Sequence, residues 1–148
     1  MRDIPAIANY NIALAAETED VMLAPAVVEA GVRSLLENPS FGFYTVAETL
    51  NGQVAGIAMV TYEWSDWRNK VFWWLQSVYI DAAHRRKRVF SLLYRHLAES
   101  AATAGNVCGI RLYVEKENHR AQQTYRSLGL EESDYLMFER MLDDTAGE

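Results

Sequence analysis

Residues 71–80, Val-Phe-Trp-Trp-Leu-Gln-Ser-Val-Tyr-Ile, constrain the fold more than any other stretch. They are apolar on both alternating faces, and a strand of that kind is stable only when both faces are covered. The spacing therefore predicts a central strand with helices on either side. No apolar run approaches the roughly 20 residues that span a bilayer, so the chain reads as neither an integral membrane protein nor a membrane partner. The length, 148 residues, suits one domain over 1–148, and no repeat, low-complexity tract or linker divides it. Half the residues are apolar and 23% are charged, enough apolar material for a core and against disorder.

The flanking pattern supplies the covering elements. Asp3 followed by Pro5 reads as a helix start, with Ile4, Ile7 and Ala8 on one face. A second helix is expected from Ala24 to Glu37, stopped by Asn38-Pro39. Phe43–Thr49 and Gln53–Tyr62 read as strands joined by a turn at Asn51-Gly52. Trp64 to Asn69 reads as a polar and aromatic connection into the central strand. A helix is expected over Ser91–Ala102 with Gly105 as its stop, then a strand over Ile110–Val114. Asn118 reads as the cap of a helix through Leu128, ended by Gly129, and Tyr135–Met141 as a last strand. The order ααβββαβαβ is an α/β layout around one sheet.

Charge narrows the function. The net charge is −6, but the three successive thirds, 1–50, 51–100 and 101–148, carry −5, +3 and −4. An acidic protein with one basic centre is a poor nucleic-acid binder and a reasonable host for one small polyanion. Four cations of that centre are consecutive: Arg85, Arg86, Lys87 and Arg88. They fall between the central strand and the next helix, where unpaired N–H groups and the helix dipole favour an anion. A solvated basic turn is the plain alternative. Cys108 is the single cysteine, so an internal disulfide and a cysteine zinc site are excluded; it reads as a small core residue. His84, His96 and His119 lack metal-ligand spacing, and no metal is expected. The N-terminus shows no basic region followed by an apolar stretch, which makes a cytoplasmic protein the expectation.

The run Gln76 to Phe90 resembles the cofactor motif of the GNAT family of acetyl-CoA-dependent N-acetyltransferases. Asn118-His119-Arg120-Ala121, then Tyr125 to Leu130, resembles that family's second motif, in the right order and at about the right distance. The resemblance covers roughly residues 3–141. It implies a mixed sheet that opens beside the central strand to admit acetyl-CoA. The backbone of Val78, Tyr79 and Ile80 would hold the pantetheine and acetyl carbonyl. The loop Arg85, Arg86, Lys87, Arg88, Val89, Phe90 and Ser91 would hold the pyrophosphate, and Asn118 would add a polar contact. Tyr125 would also touch the cofactor and protonate the departing thiolate as general acid.

Two departures stand out. Arg88 and Phe90 occupy positions that are usually glycine or a small residue in the family, where a Cβ crowds the phosphate. Family members open with a short strand before the first helix, and here the helix signal starts by Asp3, so that strand is expected to be absent. The central strand holds no carboxylate. Glu63 is the preferred general base, ahead of Glu115 and Glu117, and a plain exposed loop residue is the alternative. Trp73 and Trp74 read as core on opposite faces. Glu63, Trp64, Asp66 and Trp67 could form an aromatic, acidic wall for an amine acceptor through cation–π contact and ion pairing; homodimer packing explains the aromatics equally well. A non-catalytic CoA-binding sensor and a pure dimerisation domain are the competing readings.

Overall fold

The computed structural model describes residues 2–140. They fall into two compact units, one ending at Tyr113 and the other starting at Val114.

In the first unit, α1 (Ile4–Thr18) and α2 (Pro25–Glu37) each begin with a proline in the first turn, where the missing N–H leaves no bond unmade. Strands β1 (Gly42–Glu48), β2 (Val54–Ser65), β3 (Lys70–Ile80) and β4 (Val107–Leu112) form one sheet in the order β1-β2-β3-β4. The β1–β2 and β2–β3 pairs are antiparallel and β3–β4 is parallel. Helix α3 (Val89–Thr103) makes the crossover between β3 and β4. The β1–β2 turn is the expected one, with Gly52 at φ 77°. β1 opens on Gly42, where only glycine fits because any Cβ would lie 1.9 Å from the Val60 carbonyl oxygen.

Two cores follow from strand alternation. On one face Ile57 and Tyr79 pack with Ile4, Ile7 and Ala8 of α1 and Val32 of α2. On the other, Ala58, Val60, Trp73 and Leu75 pack with Leu97 and Ala101 of α3. β3 is thus covered on both sides, as its composition requires. Trp73 lies in the second core, whereas Trp74, on the opposite face, is only half-buried.

The second unit holds α4 (His119–Ser127), with Asn118 as N-cap: its side-chain oxygen accepts from the Ala121 N–H at 3.1 Å.

Three expectations are corrected. β2 runs to Ser65, so Glu63 and Trp64 stand on a strand and not in the connection. The polar residues at 61, 63 and 65 are the alternate face of a half-covered strand, and they imitate a loop. β4 starts three residues earlier than expected and ends at Leu112; Gly109 within it is covered by the Phe72 ring. Residues 135–140 form no strand, and Met141 of that expected strand lies outside the described residues. The chain order is therefore ααβββαβα among the described residues, with no strand ahead of α1.

Candidate functional site

The β3–α3 junction is shaped by its backbone. β3 carries a bulge: Gln76 pairs with Met59 and Tyr79 with Ile57, so Ser77 and Val78 together face Ala58. Ser77 takes the left-handed conformation at φ 46°. On the other side, the ladder to β4 ends at Leu75↔Leu112. From Gln76 onward β3 keeps its partner on the β2 side and has none on the β4 side. That is the opening expected beside the central strand, and it begins at the bulge.

The loop after β3 is held from below. The Arg85 guanidinium donates to Glu17 of α1 at 2.6 Å and to the Ile80 carbonyl at 3.0 Å, and lies over the Tyr79 ring. The Tyr79 hydroxyl donates to the other Glu17 oxygen at 2.7 Å. The two hydrogen bonds, Tyr79's ahead of Arg85's, hold the Glu17 carboxyl below its usual range. Burial, with Glu17 second, pushes the Tyr79 phenol up. Arg85 is thus an anchor that pins the loop to α1, and its nearest acceptors are protein atoms. Glu17 was missed by sequence reasoning because its partners lie 62 and 68 residues away and no local spacing links them.

The next residues are different. Arg86, Lys87 and Arg88 are exposed and enter no ion pair among the described residues. Arg86 and Arg88 sit at φ 63° and 62°, the left-handed region that glycine favours. At Arg88 the chain keeps the glycine-type conformation without the glycine. Arg88 is the N-cap of α3 and makes no side-chain cap. The first N–H to bond back into α3 is that of Leu92, to the Arg88 carbonyl at 3.1 Å. The N–H groups of Val89 and Ser91 precede this first intrahelical bond of α3. Three unpaired cations, left-handed turns and a helix N-terminus fit a pyrophosphate. Phe90 turns its ring toward Tyr94 and packs on the α3-side core.

The expected aromatic and acidic wall is not brought together. Glu63 and Trp64 point to opposite faces of β2. Glu63 accepts from the Trp74 indole and from the Arg111 guanidinium, and Arg111 lies 3.7 Å from the centre of the Phe72 ring. Trp74 in turn stacks near Tyr113, with ring centres 4.6 Å apart. Trp64 and Trp67 are 61% and 87% exposed near the β2–β3 turn. The Asp66 carboxylate accepts from the Trp67 N–H at 2.9 Å and shapes that turn. Lys70 lies roughly 23 Å along β3 from Ser77 at ~3.3 Å per residue, so the turn is remote from the bulge. Arg111 was another miss, since nothing in the sequence ties residue 111 to 63.

One cavity of about 560 Å³ lies beside the bulge, between α1, α2 and the sheet face that holds Met59, Thr61 and Ser77. Asn11 and Tyr44 form part of its wall, with the Asn11 amide donating to the Tyr44 hydroxyl at 3.1 Å. In the second unit, burial pushes the Tyr125 phenol up, so it is protonated at neutral pH. Among the described residues no group of three or more His, Cys, Asp or Glu could hold a metal, and no helix is long and apolar enough to cross a membrane.

Residues 9–130 match the model of the acetyltransferase (GNAT) family. No curated protein matches the sequence. Among solved structures, one described as a possible acetyltransferase from Clostridium difficile 630 is 44% identical, with a TM-score of 0.90 over 97% of this chain and 93% of that one. A predicted acetyltransferase from Clostridium acetobutylicum, solved with acetyl-CoA, is 16% identical; its TM-score is 0.75 over 95% of this chain and 91% of that one. Glucosamine-6-phosphate N-acetyltransferase from Arabidopsis thaliana is 14% identical, with a TM-score of 0.66 over 90% and 92% of the two chains. The last two likenesses are of fold.

Proposed function

Because the chain belongs to the acetyltransferase (GNAT) family, we propose that it moves an acetyl group from acetyl-CoA to a primary amine. The observation that carries this reading is the β3–α3 junction. There the strand loses its β4 partner at Leu75, and three unpaired cations meet a helix N-terminus.

In this reading the pyrophosphate rests on the N–H groups of residues 86–91 and on the side chains of Arg86, Lys87 and Arg88. The backbone of β3 from Val78 to Ile80, on the side β4 leaves open, receives the pantetheine. The Ile80 carbonyl already accepts from Arg85, which assigns the carbonyl a structural bond. The amine nitrogen attacks the thioester carbonyl carbon directly. A C–N bond forms, the C–S bond breaks, and no covalent enzyme intermediate is needed. Tyr125, protonated at neutral pH, gives its proton to the leaving thiolate, and Asn118 sets the start of the helix that carries it. The amine must shed a proton, which passes to water; Glu63, bonded to Trp74 and Arg111 and paired with Phe72 five residues before Ser77, would receive it only through intervening water. The rest is positioning and polarisation of the carbonyl.

The engaged state of Glu63, held by Trp74 and Arg111, favours a second reading: a fold that binds CoA as a sensor without turnover. Release of free thiol from acetyl-CoA in the presence of an amine panel decides between them. Amine-dependent release supports the enzyme. A bound thioester that stays intact with every amine supports the sensor.

A further inference from the structure

We infer that the cavity beside the β3 bulge selects an acceptor whose amine is borne on an uncharged, apolar body. This rests on the acetyltransferase reading and narrows its substrate class. The cavity has about 560 Å³, the size of a small-molecule site. Its helix side is mostly apolar, from Leu14, Ala15, Val28, Val32 and Leu35, with Asn11 and Thr18 of α1 as its uncharged polar members. Leu23, in the α1–α2 connection, continues that character on the wall. Glu19, at the end of α1, is the single carboxylate on the lining among the described residues. A polyamine or aminoglycoside, with several cations to neutralise, finds one acid where it needs several.

Polar groups also gather where α1 faces the sheet. Ser77, at the bulge, marks the point where β3 leaves β4, so the cavity meets the proposed acetyl site at its polar end. Beside it lie Thr61, Tyr44 and Asn11, whose Oδ1 is buried without a hydrogen-bond partner among the described residues. A buried acceptor left unpaired is costly, and a wall that keeps one is built to rearrange around a donor. An amine N–H is such a donor.

Gly31 gives the test its lever. It sits within α2 on the cavity wall, and a Cβ there meets nothing within 4 Å. Glycine costs a helix interior about 1 kcal/mol relative to alanine, so Gly31→Leu adds a large side chain at the cavity wall while favouring the helix. The experiment measures thiol release from acetyl-CoA with 2-phenylethylamine, leucine amide and spermidine, alongside the melting shift with acetyl-CoA alone. The expected result is a kcat/KM at least tenfold higher for an apolar monoamine than for spermidine. Gly31→Leu should cut that value at least tenfold, chiefly through KM, with the acetyl-CoA shift unchanged. Spermidine as the equal or better acceptor overturns the inference, as does a Gly31→Leu variant that keeps the wild-type KM. A normal acetyl-CoA shift with no monoamine consumed overturns it and leaves acetyl-CoA binding standing. No shift and no release overturns the acetyltransferase reading beneath it.

Discussion

At Arg88 one residue carries two opposed demands. Its left-handed backbone costs roughly 1–2 kcal/mol for a residue with a Cβ, while its side chain adds a cation to the anion site. Arg88→Gly relieves the first and forfeits the second. Glycine also loses more entropy on folding, roughly 0.5–1 kcal/mol, so the variant should gain about 0.5–1 kcal/mol and melt roughly 1–4 °C higher. Acetyl-CoA affinity should hold or improve. Loss of more than tenfold, about 1.4 kcal/mol, would make the Arg88 side chain a phosphate ligand that outweighs the strain. Glu17 makes a pH-dependent contribution. Its carboxyl is held below the usual range when folded, mainly by Tyr79 and then Arg85. The stabilisation is therefore present above the unfolded value near 4.5 and is lost as pH falls through the folded one. Glu17→Gln should lower the melting temperature at neutral pH, and the gap to wild type should close under acid. The effect is small, because Arg85 and Glu17 are both over two-fifths exposed. A gap that widens under acid would contradict it.

Elements decide whether the chemistry is assembled. Tyr125→Phe removes one hydroxyl and keeps the ring, so α4 should survive and acetyl-CoA affinity should barely change. Turnover should fall by roughly 10²–10⁴-fold, the usual cost of a positioned acid, and less with a thioester of a more acidic thiol. Normal turnover would make Tyr125 a packing residue. The helices were legible because each announces itself locally: Pro5 at the start of α1, Asn38-Pro39 past the end of α2, Asn118 as a cap, Gly105 and Gly129 past the ends. β3 was legible because being covered on both faces leaves no polar face to confuse it. The end of β2 was not, since Glu63 and Ser65 on a half-covered face look like loop residues. The last expected strand failed for a related reason. Tyr135 to Phe138 is apolar and β-prone, yet Phe138 is 90% exposed, and propensity without a paired neighbour makes no strand. In the site, the cationic loop stood out as a charge run. The anchor beneath it and the cavity beside it did not, because they join residues far apart in the chain.

On the scale of the whole molecule, the first unit divides the work between the two faces of one sheet. α3 packs on one face and presents its N-terminus at the end of β3. α1 and α2 pack on the other and frame the cavity next to the bulge. Two substrates arriving from different sides of β3 would meet where the ladder to β4 stops. This arrangement requires that the β3–α3 loop bind acetyl-CoA, and everything else in the proposal depends on it. The most direct test is the melting temperature of the purified chain titrated with acetyl-CoA up to millimolar concentration. The expected result is a saturable rise, about 2.7 kcal/mol of stabilisation at a hundredfold excess over Kd, and its loss when Arg86 and Lys87 are both replaced by alanine. A melting temperature that does not move with acetyl-CoA would contradict the account at its centre.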